Sequence, residues 1–177
     1  MNALVTSIGT GDLALRILAS YGTAAYFAYL VQPVAAREVS EDLGAELRAL
    51  DERLGIKVIT AARASRLLDD LKSITEEVVL IEATECTEED WKQLDRQRST
   101  LGRGGVMVFI TTSSGFDVLM RVAPNLASWL GAYVFSHEDE TARLAGHRRQ
   151  RLASLQKWSG RSDAEVIGAA EGGRLPR

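Results

Sequence analysis

Cysteine is almost absent from this chain of 177 residues, with Cys86 standing alone. That excludes an intramolecular disulfide and leaves a four-ligand zinc site to be assembled almost wholly from other residues. Histidine is nearly as scarce. His137 and His147 are the only two, far from Cys86 in sequence and without paired spacing, so neither a metal site nor a Cys–His nucleophile is indicated. No charge dominates: 21 Lys+Arg against 24 Asp+Glu give a formal net charge of -3, which argues against a dedicated binder of polyanions. No apolar run approaches the roughly 20 residues that cross a bilayer, and the opening Met1-Asn2-Ala3 lacks the basic region of a secretory signal. A cytoplasmic protein in a reducing compartment is therefore expected. Internal repeats, low-complexity tracts and a Gly-x-Ser-x-Gly elbow are missing as well.

What is present is an alternation of short apolar runs with amphipathic segments, the pattern of strands covered on both faces by helices. It predicts an α/β fold with a mainly parallel sheet between two helical layers. Strands are expected over residues 2–8, 25–31, 78–81, 106–110 and 132–135, with a further short one over 56–61 whose place in the sheet is left open. Helices are expected over 12–21, with Asp12 as N-cap, and over 40–54, where Leu43, Leu47, Leu50 and Leu54 recur at helical spacing and Gly55 supplies the stop. Another carries Leu67, Leu68 and Leu71. Thr87, followed by three acidic residues, opens a helix with Trp91, Leu94 and Leu101 on its apolar stripe. The next carries Phe116, Leu119, Met120, Leu126 and Trp129 toward the core and is bent or broken by Pro124. From residue 141 the composition turns arginine-rich and strand-like runs cease, so the chain divides into a core over 1–140 and a C-terminal helical extension over 141–177.

Ligands of open parallel sheets bind beyond the carboxyl ends of the strands, and the candidate site residues are those expected there. Gly9-Thr10-Gly11-Asp12 forms a glycine turn whose amides could cradle phosphate. A working phosphate loop ends in Gly-Lys-Ser/Thr, the lysine neutralising phosphate and the hydroxyl holding magnesium; here Asp12 and Leu13 stand in those places. Both departures argue against nucleotide hydrolysis and favour the plainer reading of a tight turn with an aspartate cap. Glu82 closes the run 78–81, where a magnesium-organising aspartate would sit, and could with Glu85 hold a metal or activate water, although carboxylates at strand ends are also common in solvated loops. Thr111 and Thr112 offer hydroxyls at a helix N-terminus, or simply cap it. Arg143, His147 and Arg151 align at fourfold spacing. With little aromatic interleaving and acidic residues before them, they form a solvated face rather than a nucleic-acid patch.

The glycine turn, the acidic-ended run Val78-Val79-Leu80-Ile81-Glu82-Ala83 and the apolar run Val106-Met107-Val108-Phe109-Ile110-Thr111-Thr112 follow one another in an order that resembles the nucleotide-binding core of AAA/STAND-type P-loop NTPases. Leu94-Asp95-Arg96-Gln97-Arg98, Ala123-Pro124-Asn125-Leu126-Ala127-Ser128-Trp129 and Ala132-Tyr133-Val134-Phe135 resemble a degenerate version of that core found in large bacterial signalling and conflict proteins, and the segment 157–167 the short helical extension that follows it. The resemblance implies a three-layer sandwich with a five-stranded sheet in the order 5-1-4-3-2. It also implies a role in assembly or regulation, as an adaptor acting through another protein chain or through self-association, with no membrane and no nucleic acid. No catalytic residue and no metal carry over, because Asp12, Leu13 and Glu82 depart from the enzyme pattern. Trp129, Trp158 and the Arg143, His147 and Arg151 face would meet the partner. Two alternatives remain: a switch that binds ATP or GTP with magnesium through Gly9, Thr10, Gly11, Asp12, Glu82, Thr111 and Thr112 without efficient hydrolysis, and a small-molecule enzyme using Glu82.

Overall fold

The computed structural model describes residues 5–61, 63–102, 104–130 and 133–138. Six strands, β1 (Thr6–Ile8), β2 (Ala25–Leu30), β3 (Ile56–Thr60), β4 (Val78–Glu82), β5 (Val106–Thr111) and β6 (Val134–His137), form one sheet in the order β1-β6-β2-β5-β4-β3. Every pairing in it is parallel. Between the strands lie α1 (Thr10–Ala19), α2 (Ala36–Leu50), α3 (Ala64–Ser73), α4 (Glu88–Arg96), α5 (Arg98–Leu101), α6 (Ser113–Val122) and α7 (Pro124–Leu130), with a 3-10 turn over Pro33–Ala35 before α2. No helix among the described residues is long and apolar enough to cross a membrane.

Period-two alternation divides the buried side chains into two cores. Phe27, Tyr29, Val78, Leu80, Val106, Val108 and Ile110 pack with Leu13 and Ile17 of α1 and with Leu43 and Leu47 of α2. Ala28, Val79, Ile81, Met107 and Phe109 face the other way, toward Leu67, Leu71, Trp91, Leu94, Leu119 and Leu126 of the remaining helices. All six residues of β5 are buried, as a strand flanked on both edges and covered on both faces must be. Only Ile59 is buried in β3 and only Ile8 in β1, which suits the two rims of the sheet.

The α/β class, the parallel sheet and the two helical layers are as expected, but strand count and order differ from the expected five in the order 5-1-4-3-2. Among the described residues the sheet has six strands, and the run read as its interior first strand lies at the edge. Thr6 and Ser7 are exposed there, so β1 has no second face to bury and pairs only with β6. The 56–61 run supplies the opposite rim. Smaller corrections have local causes. Gly9, not Asp12, is the N-cap of α1, and Asp12 sits in its first turn. The helix opened by Thr87 breaks at Gln97 into α4 and α5. Pro124 does break its helix, at the start of α7, and Met120, expected toward the core, is exposed on α6. The expected extension over 141–177 lies outside the described residues.

Two carboxylates of α4 fasten the second layer. Asp90 closes a capping box with Thr87 and also accepts the N–H of Ala64 at 3.0 Å, capping α3. Asp95 accepts the Leu126 N–H at 2.7 Å and the Asn125 side-chain amide at 2.9 Å, capping α7. Burial pushes the Asp90 carboxyl upward, but hydrogen bonds from the Ala64 and Thr87 amides and the Thr87 hydroxyl, with the Arg63 charge, more than offset it, and the net displacement is downward. A depressed carboxyl contributes stability that is complete above its unfolded value of about 3.9 and lost as pH falls through the lower folded value. Urea midpoints followed from neutral pH to about pH 3 should therefore fall more steeply in the wild type than in Asp90→Asn; parallel curves would show that the carboxylate carries no such term.

Gly105, at the entry to β5, has φ 109°, and a Cβ there would collide with the carbonyl oxygen of Glu77, the group that accepts the Val106 N–H at 2.8 Å. Positive φ and backbone contact both demand glycine. Gly105→Ala should lower stability by about 2 kcal/mol or more in urea unfolding, and an unchanged midpoint would contradict this reading.

Candidate functional site

Connections running toward β3, through α1 and α2, lie on one face of the sheet, and those running back, through α3 to α7, lie on the other, as right-handed crossovers require. The neighbours β2 and β5 therefore leave their carboxyl ends toward opposite faces, and the crevice between those ends is where such sheets bind ligands. The residues standing there are Val31, Gln32, Pro33 and Val34 after β2, Thr112, Ser113 and Ser114 after β5, and, at the end of adjacent β4, Glu82 with Ala83 just beyond it.

The connection after β2 is built for something other than phosphate. Between Val31 and Val39 there is neither glycine nor lysine, and Pro33 opens the 3-10 turn with no amide to offer. Val34 is 95% exposed. Arg37, the one cation in this stretch, pairs with Glu41 at 2.9 Å on the outer face of α2. Its guanidinium is held above its usual value by the Glu41 hydrogen bond and charge, with Glu82 adding a smaller contribution.

Glu82 is engaged on both oxygens. The Ser40 hydroxyl of α2 contacts Oε1, and the Thr60 hydroxyl of β3 donates to Oε2 at 2.9 Å. Ser40 is fully buried. The glutamate's extra methylene relative to aspartate lets it bridge from β4 to the helix above and the strand beside it. Thr111 is likewise buried, donating to the Ala83 carbonyl at 3.2 Å, while Thr112 caps α6 through the Gly115 N–H at 2.9 Å. Cys86 donates to the Ala61 carbonyl, and burial, with the Asp90 charge nearby, pushes its thiol up to about 12. It is therefore not a thiolate near neutral pH.

The residues expected to form a nucleotide site are only partly brought together. Glu82 and Thr111 end adjacent strands, and Thr112 follows Thr111 as the N-cap of α6. The turn Gly9-Thr10-Gly11-Asp12 sits on the far rim: β6 and β2 separate β1 from β5, about 14 Å at ordinary strand spacing. Gly9 alone joins β1 to α1, with extended backbone and no side-chain cap, so no loop wraps around a phosphate there. Trp129 is half-buried against Tyr26, ring centroids 4.8 Å apart. Arg143, His147, Arg151 and Trp158 lie outside the described residues. No group of three or more metal-ligating side chains occurs among the described residues. Reading the sequence missed the 31–36 connection and the Ser40 and Thr60 partners of Glu82. The available signal was the run 25–31, apolar on both faces and thus more central than a run holding Thr6 and Ser7.

No family model matches the chain, and no curated protein matches it. Among solved structures, domain III of the Thermotoga maritima replication initiation protein DnaA is similar in outline. The TM-score is 0.46 at 15% sequence identity, over 93% of this chain and 76% of that one.

If Glu82 serves as a bridge, Glu82→Ala should cost about 1–2 kcal/mol through the hydrogen bonds lost from Ser40 and Thr60, the Ser40 hydroxyl keeping its contact with the Arg37 carbonyl at 2.9 Å. Chemical unfolding of the two proteins measures this, and full retention of stability would show the carboxylate to be structurally idle.

Proposed function

We propose that this chain is a P-loop NTPase-like α/β domain that has lost its phosphate-binding machinery and acts through protein contacts, as an adaptor or regulatory module. With rim strand β1 set aside, the other five strands numbered in chain order run 5-1-4-3-2, which supports the topological half of the reading. The single observation that carries the functional half is the connection after β2. At the switch point, where that topology would hold its phosphate loop, stand Gln32, Pro33 and a solvent-facing Val34. A phosphate there would find no lysine and no glycine-built nest of amides.

The nucleotide-switch alternative is weakened by the separation of the Gly9 turn from Thr111 and Glu82, and the enzyme alternative by the engagement of both Glu82 oxygens. The same proposal places the partner, another protein chain or a second copy of this one, against Trp129, Trp158 and the Arg143, His147 and Arg151 face. A cytoplasmic setting in bacterial signalling or defence belongs to it as well, on the strength of the sequence resemblance alone.

The test is calorimetric titration of folded protein with ATP, ADP and GTP, each with and without magnesium. No saturable heat is expected. Saturable binding would overturn the proposal and restore a nucleotide switch, with the 31–36 connection as the first segment to map.

A further inference from the structure

Of the two rims of the sheet, β3 presents the longer open edge, five residues against three for β1. Its pairing with β4 decides which backbone groups that edge offers. The Gly55 carbonyl accepts the Val78 N–H at 3.0 Å, and the Ala61 N–H donates to the Glu82 carbonyl at 2.8 Å. Residues 56–60 run in unbroken parallel register between those two bonds. The odd-numbered residues therefore turn their N–H and C=O groups to β4, and Ile56, Val58 and Thr60 turn theirs outward. Among the described residues no backbone or side-chain group pairs with them.

Such an edge is a template for a further strand, and proteins that stay monomeric blunt it with proline, bulges or charge. The strand Ile56-Lys57-Val58-Ile59-Thr60 has no proline, no break in register and one charge, Lys57. Val58 is 38% exposed. By strand alternation it shares the α2 side with Ile56, while Lys57 and Ile59 lie on the other.

We infer that β3 is the interface for a second copy of this chain, whose own β3 runs antiparallel to it about a twofold axis at Val58. Antiparallel strands exchange both hydrogen bonds at every second residue, and this edge is complementary to itself at that interval. Val58 meets the partner's Val58, and Ile56 and Thr60 meet the partner's Thr60 and Ile56. Every outward N–H then finds a C=O, with none left over. Moving the axis to Lys57 would strand Thr60 and set two lysines face to face, and moving it to Ile59 would strand Ile56. With the axis at Val58, valine faces valine, a favourable β-branched pair, and Lys57 lies opposite the partner's Ile59, over which its stem can rest.

The β1 rim fits less well. Thr6 and Ser7 are exposed in it, and pairing β1 of one copy with β3 of the next would be head-to-tail, adding copies without closing. The β3 surface is also separate from Trp129, which packs on Tyr26 of β2, three places away in the sheet. It stands whether or not the chain binds nucleotide. An edge of five residues buries less than a standard interface, so the dimer is reversible.

The experiment is light scattering on the full chain over a dilution series from about 1 mM to about 1 µM. A monomer–dimer equilibrium is expected. Val58→Pro removes an outward N–H from each copy and spares the ladder with β4, the setting in which a strand accepts proline; it should weaken the dimer about tenfold or more. Val58→Glu, which opposes two like charges across the axis, should weaken it too, and decides the matter should Val58→Pro fail to fold. Amide exchange at Ile56, Val58 and Thr60 should slow as concentration rises. A monomer at every concentration, assemblies that grow beyond two, a dimer that the variants leave as tight, or a dimer with unaltered exchange at those three amides would each overturn the interface.

Discussion

The crossover from β2 to β3 governs the architecture. The chain leaves the carboxyl end of β2, travels along α2 and comes down three places away, before the two strands that will fill the gap have occurred in the sequence. Three strand spacings are about 14 Å, and the 15 residues of α2 span about 22 Å, enough to cover the gap diagonally. β4 and β5 then enter beneath it, and the buried stripe of Leu43 and Leu47 shares one core with them and with α1. Ser40, reaching from this helix to Glu82 of β4, is a polar contact between the crossover and its filling. The reversal of direction after β3 sends every later helix to the other face and creates the crevice between β2 and β5.

Much of this was legible in the residues. Runs such as 78–81 and 106–110, apolar at every position, announce strands buried on both faces, and Leu43 with Leu47 announces the inner stripe of a helix. The order of strands was less accessible, because it depends on how exposed a run can afford to be rather than on whether it is a strand. Polar Thr6 and Ser7 in the first run, against Phe27, Ala28 and Tyr29 in the second, carry that information. A glycine turn draws attention away from it.

The site was legible where it depends on strand ends and illegible where it depends on neighbours. Glu82, Thr111 and Thr112 follow from the ends of apolar runs. Ser40 and Thr60 do not: they lie 42 and 22 residues from Glu82 in the chain, and only the crossover and the pairing of β3 with β4 bring them to its oxygens. Asp95 presents the same problem. A carboxylate in mid-helix reads as solvated until the N-terminus of α7, some 30 residues later, arrives against it.

The two capping carboxylates of α4 also set which parts of this chain can change length. Five residues separate Asp90 from Asp95, a rotation of about 140°, which aims one at α3 and the other at α7. A single residue inserted between them would swing one carboxylate through about 100° and leave α3 or α7 with bare amides, so the spacing within α4 tolerates neither gain nor loss. The exposed turn over 51–53 carries no comparable double duty. Drift in length during divergence would accumulate there, while the interval 90–95 would keep its count even as the residues between those positions were exchanged.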